Sequence, residues 1–74
     1  MNLPILRDRF LYEALHPDKG WLRMSSGNSL FKTIRRGRSE AQRHRLASGR
    51  VLMWFATSQD YTIIETEQRP GGRR

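Results

Sequence analysis

Seven cationic side chains crowd positions 32–50: Lys32, Arg35, Arg36, Arg38, Arg43, Arg45 and Arg50. Glu40 is the one acid among them, so this stretch carries +6 of a whole-chain +7. The flanks are nearly neutral, with four basic against three acidic residues before it and three of each after it. Six of the seven are arginine. A guanidinium presents a flat fork of N–H donors that grips phosphate or carboxylate with two parallel bonds. Charge this concentrated on a short chain points to a polyanion, or to a protein surface that normally meets one. A solvated face that keeps the chain in solution is the bland alternative; +6 within nineteen residues favours the anionic partner over it.

Other chemistry finds little support. General-base catalysis needs a histidine oriented by a partner. His16 falls in a turn and His44 among arginines, and no carboxylate is read at a spacing that would orient either. The acids are scattered; Asp8 with Asp18, or Glu65 with Glu67, could meet only through folding. Gly71-Gly72 is not followed by the Lys-Ser/Thr of a phosphate loop. There is no cysteine, which excludes a disulfide scaffold, a zinc finger and a thiol nucleophile. The expectation is a non-enzyme with no catalytic residue, no cofactor and no metal.

Seventy-four residues make one domain, here 1–67, followed by a flexible basic tail at 68–74 (Gln-Arg-Pro-Gly-Gly-Arg-Arg). A chain this short buries only about 60% of its unfolded surface, which leaves the core marginal. Hydrophobic residues are 36% of the chain, so the two tryptophans and three phenylalanines must do much of the packing. No apolar run approaches the ~20 residues of a membrane-spanning helix. The opening Met1-Asn2-Leu3-Pro4-Ile5-Leu6 does not read as a signal peptide. A soluble, intracellular monomer is expected.

The elements that must position the arginines follow from pattern. Leu6, Phe10 and Ala14 recur at i, i+4 and i+8 behind Pro4, which predicts a short helix over 4–15; a strand over 9–15 competes, because Phe10 and Tyr12 alternate with Arg9 and Glu13. His16-Pro17-Asp18-Lys19-Gly20 is a turn. Residues 21–24 and 30–35 read as a hairpin around Gly27-Asn28. The rival is a helix from Ser29 to Ser48 capped by Ser29, against which stands Gly37 in its middle. Ser39-Glu40-Ala41-Gln42 matches a capping box and predicts a helix from 39 to 48 ending at Gly49. Residues 50–57 form the clearest strand, returning after Ser58-Gln59-Asp60 as a strand over 61–66. The fold class is α+β: a small antiparallel sheet of two hairpins with one basic helix packed on it. Trp21, Leu22, Ile34, Leu52, Trp54 and Ile63 are the expected core. Trp54 and Phe55 are adjacent on one strand and face opposite ways, so one enters the core and the other needs separate cover or a partner.

Arg35-Arg36-Gly37-Arg38 would join a strand to a helix start, where outward N–H groups favour phosphate, and Arg43 and Arg45 would extend the track. The sheet motif of base-reading RNA domains is missing and no helix-turn-helix pair is visible, so nucleic-acid contact would fall mostly on phosphate.

In size, charge and single-helix layout, with Arg35-Arg36-Gly37-Arg38 and the basic helix bearing Arg43 and Arg45, the chain resembles small phage-encoded host-takeover proteins, among them the RNA-polymerase-binding transcription regulators of Xanthomonas phage. The resemblance carries no residue roles. It implies a regulator in the cytoplasm of a bacterial host that binds host RNA polymerase, or another complex that handles nucleic acid, and alters transcription by promoter shut-off or antitermination. Small anti-CRISPR inhibitors share the same look, and a direct, sequence-independent DNA or RNA binder is the further alternative.

Overall fold

The computed structural model describes residues 7–68. The chain forms β1 (Phe10–His16), β2 (Gly20–Gly27), α1 (Leu30–Arg43), β3 (Ser48–Phe55) and β4 (Asp60–Gln68). The strands make one antiparallel sheet in the order β2-β1-β3-β4. Two hairpins flank the helix in sequence, and their first strands, β1 and β3, pair at the centre. This is the expected α+β class. Among the described residues no helix is long and apolar enough to cross a membrane.

Several local expectations change. Over 10–16 the chain is a strand, so the strand reading holds and the helix reading fails; residues 4–6 of the predicted helix lie outside the described residues. Leu, Phe and Ala suit either period, and β1 becomes a central strand because β2 and β3 both pair with it. The first hairpin turns at 17–19 rather than at Gly27-Asn28: Phe10 pairs with Gly27 and His16 with Gly20. His16 secures that turn, its Nδ1 accepting the Asp18 and Lys19 backbone N–H groups at 3.0 and 3.2 Å. Gly20 takes φ +80°, where a side chain would be strained.

Residues 30–35 are helical, not a strand. Ser29 caps α1, its hydroxyl accepting the Lys32 N–H at 3.3 Å. The capping box at Ser39 is therefore interior to the helix. The helix closes at His44, with Arg45 in the left-handed region at φ 59°, five residues before the expected stop at Gly49. Gly37 does not break α1. A Cβ there would overlap the Tyr12 ring, so this glycine is where β1 approaches the helix most closely. Gly49 sits on β3 for the same reason, under the far end of that ring.

Tyr12, fully buried, is the hub of the core, with Ala14, Ala41, Leu46 and Val51 around it and Met24 and Ile34 packed alongside. Of the expected core, Leu52 is buried and Ile34 joins the cluster, but Trp21, Leu22 and Trp54 are only half-buried and Ile63 is 46% exposed. The correction follows from the sheet order. α1 lies over β1 and β2 and barely reaches β3, so it covers one half of one face. Tryptophans on the other face have no layer above them. Gln68 ends β4, and the rest of the expected tail, 69–74, lies outside the described residues.

Candidate partner-binding surface

The outer face of α1 is set by its inner one. Thr33, Gly37 and Ala41 are buried at i, i+4 and i+8. On the opposite side of a 3.6-residue helix stand Lys32, Arg35, Arg36, Ser39 and Arg43, all exposed. The apolar residues that would disperse this charge are consumed by the face against Tyr12, so the arginines form a ridge by exclusion.

The ridge is not uniform. Arg38 turns off it and grips Glu67 of β4 with two bonds, at 2.7 and 3.0 Å. Glu67 also accepts the Tyr12 hydroxyl, so one carboxylate joins helix, central strand and edge strand. The Arg38 guanidinium has its pKa raised, chiefly by the hydrogen bonds it donates to Glu67's carboxylate. Arg43 meets Glu40 at 3.2 Å, one turn back. Arg36 donates to the Ser26 carbonyl at 3.3 Å, tying α1 to β2. Among the described residues Lys32, Arg35 and Arg45 have no ion-pair or hydrogen-bond partner for their side chains.

Two expected members leave the patch. Arg45 lies past the helix end. Arg50 is on the far face of the sheet, bonded to Glu13 at 2.8 Å, with both side chains mostly covered (22% and 18% exposed). The seven predicted cations therefore divide: Lys32, Arg35, Arg36 and Arg43 share the ridge, Arg38 is a structural clamp, and Arg45 and Arg50 lie elsewhere. Position along the sequence could not show this, because it depends on which way β3 faces.

Sequence reasoning missed Phe31. Its side chain is 76% exposed at the start of α1, at the mouth of an open groove between α1 and β4 lined by Ile34, Arg35, Arg38, Gln42 and Glu65. Reading 30–35 as a strand hid it; on a helix capped at Ser29, residue 31 falls beside the ridge.

His44 does have a carboxylate at an orienting spacing, contrary to expectation: Glu40, four residues earlier, lies 3.4 Å from its Nε2. Both side chains are well exposed, and Glu40 is shared with Arg43. His16 is engaged in its turn. Among the described residues no group of three His, Asp or Glu side chains is placed to hold a metal ion. Compared with family models, curated proteins and solved structures, the chain matches none.

Proposed function

We propose that this protein is a non-catalytic regulator that docks the outer face of α1 on a complex that handles nucleic acid, with bacterial RNA polymerase the first partner, and thereby alters transcription. The observation that carries this reading is the exposed ridge of Lys32, Arg35, Arg36 and Arg43 with Phe31 standing beside it. Cations steer an encounter with an acidic or phosphate-lined groove, and a solvent-exposed aromatic next to arginine supplies an anchor once the surfaces meet. A charged ridge alone would serve any polyanion; Phe31 is the element that favours a protein.

The test is affinity for purified bacterial RNA polymerase and for a random-sequence duplex, each from low to high salt. Binding to polymerase that persists at high salt, weak duplex binding, and loss of the polymerase complex in both Phe31→Ala and a Lys32/Arg35/Arg36 triple glutamate variant are the expected results. Duplex contacts fall with a log–log slope near −0.9 per phosphate neutralised, steeper than a partly apolar protein interface. Salt-sensitive duplex binding stronger than any polymerase binding would favour direct nucleic-acid binding instead. Capture of a CRISPR effector with no polymerase affinity would favour the inhibitor reading.

A further inference from the structure

The sheet face turned away from α1 is built for different contacts. Register sets Leu11 beside Leu52 on it, and Glu13 beside Arg50. Toward one end the Arg50 guanidinium lies 4.2 Å from the Trp21 ring. At the other, Arg7 lies 4.6 Å from the Trp54 ring, and Tyr61 meets Trp54 edge-on at 5.1 Å. Between them Leu11 and Leu52 are buried beneath the flanking side chains, with Ile63 at their border, 46% exposed. No element of the described chain packs over this face.

We propose that this face is a stacking platform for single-stranded nucleic acid. Three observations favour that occupant. The first is chemical. Two tryptophan–guanidinium stacks offer flat, cationic surfaces, which suit unpaired bases and their phosphates; bases stack on aromatic rings and on guanidinium planes alike. The second is spacing. Trp21 pairs with Leu15, and Trp54 is bonded to the Arg9 carbonyl, so the rings stand six strand positions apart. At ~3.3 Å per position that is about 20 Å, a length for a few nucleotides rather than one base. The third is charge. Arg50 and Glu13 offset each other as an ion pair, and Arg7 and Arg23 stand against Asp8, which accepts the Ser26 hydroxyl, so the face keeps a net positive balance carried by Arg7 and Arg23. A second copy of the chain laid face to face would set Arg7 and Arg23 against like charges, which disfavours self-pairing. A duplex keeps its bases inside the stack and cannot use the rings.

The platform is separate from the α1 ridge, and its test contains no polymerase, so either proposal can fail alone. The full-length chain is titrated with fluorescein-labelled oligo(dT) and oligo(U) of about 12 nucleotides, within the range of single-strand binding sites. A duplex of equal length is run beside them. Anisotropy and intrinsic tryptophan fluorescence are both read. Expected are quenching of the tryptophans by the single strands and affinity for them at least tenfold above that for duplex. Trp21→Leu and Trp54→Leu, which keep the apolar cover, should each lower single-strand affinity about tenfold, the scale of one lost base stack. Trp54→Phe should retain most of it, and Arg23→Ala, at an exposed position, gives a variant whose folding is not at issue and should weaken binding several-fold. The proposal is overturned if the unmodified chain shows no quenching, if duplex binds as tightly as single strand, or if polyglutamate quenches equally. Sedimentation as a dimer that Trp21→Leu dissociates would overturn it in favour of self-association.

Discussion

Tyr12 shows what individual residues decide here. Its ring runs between Gly37 on α1 and Gly49 on β3, and its hydroxyl donates to Glu67 on β4. Gly37→Ala tests this by its sign. In an exposed helix the change would stabilise by about 1 kcal/mol. Here the new methyl meets the Tyr12 ring, so we expect a net loss of about 1–3 kcal/mol, read from chemical denaturation. Thr33 makes the opposite case. It is fully buried, and among the described residues its hydroxyl has no hydrogen-bond partner. Thr33→Val keeps the shape and removes an unsatisfied group, so stability should hold or rise by up to about 1 kcal/mol. A loss above that in the same assay would mean that the hydroxyl is bonded. His16→Ala, which removes the acceptor for two turn N–H groups, should cost about 1 kcal/mol by the same measurement.

At the scale of elements, Trp54 is the informative residue of β3. It is half-buried on the open face, against Tyr61 and Arg7, and apart from the Tyr12 cluster. Trp54→Leu should leave a cooperative thermal melt with a modest drop in midpoint. Tyr12→Ala should abolish the melt, because emptying a central core site costs about 3–5 kcal/mol and a domain this size has little more. A lost melt in Trp54→Leu would put the tryptophan back in the core. The sequence made the strands of the second hairpin and the fold class legible, because Val51–Phe55 and Tyr61–Thr66 carry strong strand composition. It concealed the span of α1, since the purpose of Gly37 lies in Tyr12, 25 positions away, and nothing local reports that. The ridge was legible as charge. Its separation from Arg50 and the emergence of Phe31 were not, because both follow from element boundaries and from strand facing.

The whole molecule is lopsided. α1 shelters β1 and β2 and barely reaches β3, while β4, an edge strand, keeps most of its length in water. β4 is held by its ladder to β3, by Glu67 and by the reach of Tyr61 Oη to the Asp8 carbonyl at 2.6 Å. Local opening free energies follow such differences in cover. Native-state amide exchange should therefore run as a gradient across the sheet, slowest in β1, intermediate in β3 and fastest in β4. Uniform protection of all four strands would contradict it. Glu67→Gln, which weakens the Arg38 grip, should quicken exchange in β4 while leaving β1 nearly unchanged. The protein would then possess a strand that detaches and returns while the remainder stays folded. The backbone N–H and C=O groups of β3 that β4 normally occupies would be offered, for that interval, to any extended segment able to compete for them.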